Sequence, residues 1–349
     1  MDSVNTIGLF FASASSVANV VTDIARKKAL HSNPLLRAIF LVQVCIVATL
    51  TTVFVSRVAL GHPSTIHTVA SESAFVLARN LPARVLFFVY LCLDTGLVGI
   101  ATILYFRALQ ISPISLCIPF LAFTPVFLLF TGRLFLGERV SRKDMAGVGF
   151  VVLGSLLMNR GLFQRGWMEP IMALLREKGS RYMLMVGFIF SITNPIDKRL
   201  VEMSDPFFHA WTYAVMLALL IGLALLFKRG PRRPVTTSSW GWIALAALVE
   251  AAALLLQFVS HKYIQVVITI SLKRAGVILT VVLGGLLFRE HHIVDRLIAA
   301  SVMTAGALML YLPLTDKAAL IYAVAVVVSL ATVLLVVPSR QEQAVAEFR

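Results

Sequence analysis

The segment Gly-Arg-Leu-Phe-Leu-Gly-Glu at residues 132–138 returns as Gly-Gly-Leu-Leu-Phe-Arg-Glu at residues 284–290. After the same interval, each copy is followed by a second Gly-x-Leu, at residues 154–156 and 306–308. The pattern G-x-L-x3-E-x15-G-x-L therefore occurs twice. One glycine or leucine match in apolar sequence would carry no weight. Five identities at one spacing, including a glutamate at the end of an apolar run, favour duplication over chance.

The sequence around the two copies has the composition of a membrane protein. Apolar residues make up 59% and charged residues 14% of the chain, against roughly 45–50% and about 25% in soluble domains. A membrane-spanning helix needs about 20 apolar residues, so the 349 residues leave room for roughly ten spans. The apolar runs predict helices at 5–25, 35–58, 82–107, 112–136, 143–160, 182–197, 206–227, 240–260, 264–288, 292–312 and 317–337.

A weaker echo places the start of the second copy. Ser-Val-Ala-Asn at residues 16–19 corresponds to Ser-Ile-Thr-Asn at residues 191–194, as a duplicated five-helix unit requires. Because five is odd, the second unit enters the membrane in the opposite sense. We therefore predict an all-α integral membrane protein, a ten-helix inverted repeat of two five-helix bundles with an eleventh C-terminal helix. The predicted boundaries are 1–160 and 182–312 for the repeats, 161–181 for a connecting loop with an interfacial helix, and 313–349 for the extra helix and tail.

The basic residues fall in short clusters between apolar runs, although the formal charge is +14. That arrangement is typical of membrane topology and argues against nucleic-acid binding. The three cysteines lie inside apolar runs without ligand spacing, and His291-His292 has no third ligand nearby. We expect neither a metal nor a cofactor.

Several residues match a known family. Tyr-Phe-Arg-Ala-Leu at 105–109 is followed by Ser115, Pro119 and Pro125, and then by Leu-Gly-Glu-Arg at 136–139 and by Gly147, while the second copy ends at 287–290 and Gly306. These motifs resemble the EamA-type drug/metabolite transporter superfamily. The resemblance implies ten helices in two inverted bundles around a central cavity that works by alternating access. The apolar segment 317–337 departs from it.

The orientation in the membrane stays open at this stage. The resemblance implies a cytoplasmic N-terminus, whereas the basic loops after helices one, five and seven favour an external N-terminus with a cytosolic C-terminus. Arg26, Lys27 and Lys28 are among the loop charges counted in this way.

Ionisable residues at membrane depth cost roughly 2.5–3.5 kcal/mol each and are functional candidates by default. Lys273 and Arg274 lie about nine residues into the ninth predicted helix, roughly 13 Å from its end and near the midplane. A guanidinium fork beside a mobile ammonium can clamp a carboxylate or phosphate. The pair is also similar to the phosphate-contacting pair of plastidic sugar-phosphate translocators, which implies a phosphate ligand. The alternative is that Glu250 or Asp94 neutralises the pair and only stabilises the bundle.

Other polar residues complete the candidate site. Asp94 and Glu250 have a second interpretation as a relay that couples transport to a proton or cation gradient. Asn19 with Asp23, and Asn194 with Asp197, form polar faces on the first and sixth helices and are candidate gates. Pro195 is expected to interrupt the backbone hydrogen bonds near the second of these faces.

These observations predict a secondary transporter, and not an enzyme, for a small organic anion in the cytoplasmic (plasma) membrane. Its expected partners are the lipid bilayer and a small-molecule substrate, with the chain a monomer or homodimer. Two alternatives remain: an exporter of neutral or cationic amphiphiles, amino acids or drugs, and a flippase for a lipid-linked substrate. An intramembrane enzyme would need a nucleophile or metal set at depth, and the sequence offers none.

Overall fold

The computed structural model describes residues 3–30, 33–62, 66, 82–136, 142–157, 172, 176–227, 239–288 and 293–309, and this part of the chain is helical with short turns. The helices are α1 (Ser3–Leu30), α2 (Leu35–Ala59), α3 (Ala83–Ile111), α4 (Ile114–Cys117), a 3-10 segment (Ile118–Ala122), α5 (Phe123–Leu136), α6 (Arg142–Leu157), α7 (Lys178–Met203), α8 (Pro206–Phe227), α9 (Trp240–Tyr263), α10 (Val266–Phe288) and α11 (Ile293–Met309).

Ten predicted spans correspond to these elements, with α4, the 3-10 segment and α5 forming one interrupted span. Seven described helices are long and apolar enough to cross a membrane. The helix α7 has 26 residues but carries a polar face, which accounts for its lower hydropathy. The predicted eleventh helix at 317–337 lies outside the described residues, as do residues 161–171 and 173–175 of the predicted connecting loop.

Two helices continue well past their predicted ends. Helix α7 continues to Met203 instead of ending near residue 197, and α1 continues to Leu30 instead of ending near residue 25. Arg26 is therefore part of the helix, and its side chain is only 12% exposed. The prediction of an external N-terminus treated Arg26 as a loop charge. Because Arg26 lies within α1, it does not support that orientation.

Prolines interrupt the fourth span. Pro113 precedes α4, and Pro119 lies in the 3-10 segment. Pro125, near the start of α5, has no N–H to donate to the carbonyl of Leu121 four residues earlier. The Thr124 hydroxyl donates to that carbonyl at 2.7 Å. The interruption thus fixes the orientation of the Thr124 side chain, which matters for the cavity described below.

Pro195 has a similar local effect, although α7 continues through it to Met203. Proline leaves the carbonyl of Ser191 without its usual i+4 donor. Thr131 of α5 supplies a hydroxyl donor at 3.2 Å. Such replacement by a neighbouring side chain is what allows proline within a membrane helix.

The helix contacts follow the duplication, with α1 to α3 corresponding to α7 to α9, the interrupted span to α10, and α6 to α11. The contact of α1 with α9 has its counterpart in that of α7 with α3. The contact of α1 with α10 has its counterpart in that of α7 with α5 and the 3-10 segment. Two pairs, α2 with α8 and α6 with α11, join equivalent helices. This exchange of partners is the pattern of two units related by a two-fold axis.

The repeated glycines Gly154 and Gly306 lie where α6 meets α11. A Cβ atom on Gly154 would lie 2.7 Å from the backbone nitrogen of Met303, and one on Gly306 would lie 2.7 Å from the carbonyl oxygen of Gly147. No side chain fits at either position without a shift of the helices. The second glycine of each repeated motif is therefore required for the close approach of α6 and α11, as small residues provide in membrane proteins.

Candidate functional site

A cavity lies between helices of both units. Its volume of about 120 Å³ holds on the order of ten non-hydrogen atoms, at roughly 10–15 Å³ for each water-sized group. The apolar part of its wall includes Val98 and Leu217. The polar residues in its wall that bear on function are Asn19, Asp23, Arg26, Asn194, Asp197, Glu250, Gln257, Lys273 and Arg274.

One group of lining residues, which we call the Arg26 cluster, comprises Asp23, Arg26, Tyr105 and Glu250. The guanidinium of Arg26 donates to the carboxylate of Glu250 and lies 3.8 Å from that of Asp23. The Tyr105 hydroxyl donates to Asp23 Oδ1 at 2.5 Å. The rings of Tyr105 and Phe106 lie 5.2 and 5.0 Å from the Arg26 Cζ atom, within cation–π range. Arg26 is thus held by Asp23 of its own helix, by Glu250 of α9 and by two aromatic rings of α3.

The second group is the cationic pair, Lys273 and Arg274 of α10. The Lys273 ammonium donates to the side-chain carbonyl of Gln257, whose amide donates to Asn194 Oδ1 at 3.2 Å. The Arg274 guanidinium donates to Thr124 Oγ1 at 3.1 Å. Among the described residues, no carboxylate lies within 4.0 Å of either cation. Both cations line the cavity with neutral hydrogen-bond partners.

The contact between Arg274 and Thr124 follows from the local structure of the fourth span. Since the Thr124 hydroxyl proton is used on the Leu121 carbonyl, its oxygen is left to accept a hydrogen bond from Arg274. The opposite side of α10 is fixed by α1. The Ser16 hydroxyl donates to the Lys273 carbonyl at 3.3 Å, and a Cβ atom on Gly276 would lie 2.5 Å from that hydroxyl oxygen. Two spans thus hold the cationic pair in place.

Five of the six predicted site residues line the cavity, the cationic pair together with Glu250, Asn19 and Asn194. Asp94 is absent from the cavity wall and is fully buried beside α7 and α8. Glu250 is paired with Arg26. The amide of Asn19 donates to the Ser15 carbonyl of its own helix at 2.6 Å.

Sequence reasoning missed Arg26 and Gln257 as lining residues. Arg26 follows Asn19 by seven residues, and Gln257 follows Glu250 by seven. Residues seven apart share one face of a helix. This spacing could have placed Arg26 and Gln257 on the same helix faces as Asn19 and Glu250. Arg26 was missed because the basic run 26–28 was interpreted as a loop.

The duplicated bundle agrees with the match of the chain to a known protein family, which also covers two segments. The model of the EamA-like transporter family matches residues 6–160 and 177–312. The chain belongs to the EamA-like transporter family. It is a multi-pass membrane protein, and the family is one of transporters.

The chain is also similar to a solved structure and, over a short segment, to two curated relatives. A solved crystal structure covers 89% of this chain and 98% of its own, with a TM-score of 0.56 at 15% identity, which shows the fold alone. Two curated relatives from strains IP 31758 and PB1/+ of Yersinia pseudotuberculosis are each named a probable 4-amino-4-deoxy-L-arabinose-phosphoundecaprenol flippase subunit ArnE. Each is 34% identical over 61 residues, which is 18% of this chain. The match spans about half, 54%, of the length of these relatives.

Proposed function

We propose that this EamA family member is a secondary transporter of a small organic anion in the cytoplasmic membrane, working by alternating access. One observation carries the proposal. Lys273 and Arg274 line the cavity with Gln257 and Thr124, both neutral, as their hydrogen-bond partners. Asp23 and Asp197 line the same cavity, but no described carboxylate is within 4.0 Å of either cation. A bound carboxylate or phosphate would supply a negative charge in direct contact with them.

The energetics favour such a ligand. A charge at membrane depth costs roughly 2.5–3.5 kcal/mol on insertion scales, and two adjacent cations repel each other as well. An anion offsets both costs, and its attraction to the cations is strong because the cavity wall is of low dielectric. The planar fork of Arg274 suits the two oxygens of a carboxylate or phosphate.

The size of the cavity limits the ligand. A volume of about 120 Å³ suits a metabolite of on the order of ten non-hydrogen atoms. Glycerol 3-phosphate and succinate are of this size and carry the charge that the cationic pair would bind. We use them as the probes for phosphate and carboxylate.

A flippase for a lipid-linked substrate is the second candidate, and its support is the likeness to the ArnE subunits. A cavity of about 120 Å³ would take only the head group of such a lipid, so the chain would have to leave the protein between helices. Scrambling of a labelled lipid-linked sugar in vesicles, with no exchange of either soluble anion, would favour this candidate.

The experiment is counterflow in proteoliposomes that contain the purified protein. Labelled glycerol 3-phosphate and succinate are compared with glycerol, which is neutral, and choline, which is cationic. We expect exchange of at least one anion and of neither control. Exchange of choline or glycerol without either anion would contradict the proposal and support an exporter of cationic or neutral compounds.

A matched pair of variants places the activity in the cavity. Arg274→Gln removes a cavity cation, whereas Arg107→Gln removes an exposed arginine whose guanidinium contacts Gln110 of its own helix. We expect anion exchange to be lost in the first variant and kept in the second.

A further inference from the structure

A second group of ionisable residues lies between α3, α7 and α8, apart from the cationic pair. We call Asp94, Asp197 and His209 the Asp94 cluster. Asp94 and His209 are fully buried, and Asp197 is 6% exposed. Asp197 Oδ1 and His209 Nε2 are hydrogen bonded at 3.0 Å. The charge of Asp197 is close enough to act on Asp94.

Asp94 is the unusual member of the cluster. Neither of its carboxyl oxygens has a hydrogen-bond partner among the described residues. An ionised carboxylate buried in this way costs several kcal/mol, and the nearby Asp197 adds repulsion between like charges. A proton on Asp94 removes both costs. Binding of an anion at the cationic pair gives no reason for an aspartate at this position.

Asp197 connects the cluster to the cavity. It lines the cavity wall whereas Asp94 does not, so water in the cavity reaches the Asp197–His209 pair first. The ring of His209 also has an Nδ1 atom without a partner among the described residues. A proton from the cavity therefore meets the Asp197–His209 pair first, and the charge of Asp197 acts on the buried Asp94 carboxyl group.

We propose that the Asp94 cluster is a proton-binding site, and that a proton taken up there moves in the same direction as the anion held by Lys273 and Arg274. The inference rests on the proposed function. Asp197 and Lys273 interact electrostatically. A negative charge on Asp197 weakens the field that attracts an anion to Lys273, and protonation of the cluster restores it. Since such coupling is reciprocal, the bound anion also favours the bound proton.

Other charged groups face the cluster from the neighbouring helices. Tyr213 of α8 interacts with both aspartates, with Glu250 of α9 and with Arg26 of α1. Glu250 and Arg26 neutralise each other in an ion pair. His261 of α9 interacts with His209, with Lys198 and with Lys273. Among these groups Lys273 of α10 is the cation that both lines the cavity and interacts with Asp197, so a proton on the cluster acts on the substrate through it.

The test separates coupling from exchange. Proteoliposomes are loaded at neutral pH and diluted into buffer one pH unit more acid with labelled glycerol 3-phosphate or succinate. In an electroneutral cycle, one proton carried with a singly charged anion gives up to about a tenfold accumulation in this gradient, and two protons carried with a dianion such as succinate give up to about a hundredfold. We expect wild-type protein to accumulate the probe, and a protonophore to abolish the accumulation.

Asp94→Asn keeps the shape of the protonated side chain but cannot release a proton. We expect this variant to retain counterflow in the absence of a gradient and to lose accumulation. Glu202→Gln, a substitution at an exposed position of α7, is the control and should accumulate the probe as wild-type protein does. Accumulation by Asp94→Asn equal to that of wild type would overturn the inference, as would accumulation that follows a sodium gradient instead of a pH gradient.

Infrared spectroscopy of the purified protein gives a second measurement that needs no substrate. At neutral pH we expect the carbonyl stretch of a protonated carboxylic acid in wild-type protein and its loss in Asp94→Asn. Absence of the band from wild-type protein would overturn the proton site. If neither anion exchanges in wild-type vesicles, the proposed substrate class fails and the infrared band decides on the proton site alone.

Discussion

Two arginines line the same cavity in different surroundings. Arg26 of α1 is paired with Glu250, lies near Asp23 and is flanked by two aromatic rings. Arg274 of α10 has the hydroxyl of Thr124 as its hydrogen-bond partner. The first cation is neutralised within the protein and holds helices together. The second has a neutral partner and is the one that we propose binds an anionic ligand. A cation at membrane depth therefore indicates a ligand site only when its partners within the protein are known to be neutral.

The largest effect is expected where a neutralised charge loses its partner. Arg26→Gln leaves the half-buried Glu250 without its cation, which should lower the stability of the protein by about 3–5 kcal/mol. Adding Glu250→Gln should restore most of the loss. Thermal unfolding of the purified variants measures both. The control is Arg57→Gln, in the more exposed pair Arg57–Asp205. It should cost only about 1 kcal/mol, since Asp205 keeps the backbone N–H donors of Phe207 and Phe208.

Lys273→Gln is expected to have the opposite profile. Transport of the anion should fall by about 10- to 150-fold, the equivalent of one hydrogen bond to a charged group at about 1.5–3 kcal/mol, while thermal stability changes little. Glu250→Gln should not rescue it, since Glu250 is paired with Arg26. Rescue of Lys273→Gln by Glu250→Gln would reverse the comparison and make the cationic pair structural. Lys262→Gln, an exposed change on α9, serves as the control.

Arg274→Lys tests the shape of the cation apart from its charge. The variant keeps a positive group in the cavity and loses the planar fork, so anion exchange should fall by about tenfold, or about 1.4 kcal/mol. Counterflow with the same probes provides the measurement. Activity equal to that of wild type would mean that the cavity requires charge alone.

The smallest effect is expected at the neutral partner. Thr124→Val keeps the size of the side chain and removes the hydroxyl that accepts from Arg274. Loss of this neutral partner should weaken anion exchange by roughly fivefold, at about 1 kcal/mol for one hydrogen bond. A loss as large as that of Lys273→Gln would show that Thr124 itself contacts the substrate.

Much of the fold could be predicted from the sequence because hydropathy and the repeated glycines act locally. The limits of α8 matched the prediction at both ends, since Pro206 begins it and a basic run follows Phe227. The continuation of α1 to Leu30 was missed. Basic residues at 26–28 are typical of a loop, and the carboxylate that allows Arg26 to stay in the helix is more than 200 residues away.

The candidate site could be predicted only in part for the same reason. Depth in the membrane was sufficient to select Lys273 and Arg274. Their partners depend on the fourth span, where prolines replace a continuous helix with a 3-10 segment. In the duplicated sequence, Leu121 and Ala122 of this span are the residues equivalent to Lys273 and Arg274. The first copy has apolar residues at these two positions, and no local pattern shows that Thr124 would contact Arg274.

The most direct test of the central claim is the binding of succinate to the purified protein, compared with its neutral diamide, by calorimetry. We predict that wild-type protein and the Arg26→Gln/Glu250→Gln variant bind the dianion and not the diamide, and that Lys273→Gln/Arg274→Gln binds neither. Glycerol 3-phosphate and glycerol form the second matched pair. Preference for either anion that survives loss of both Lys273 and Arg274 would contradict the account.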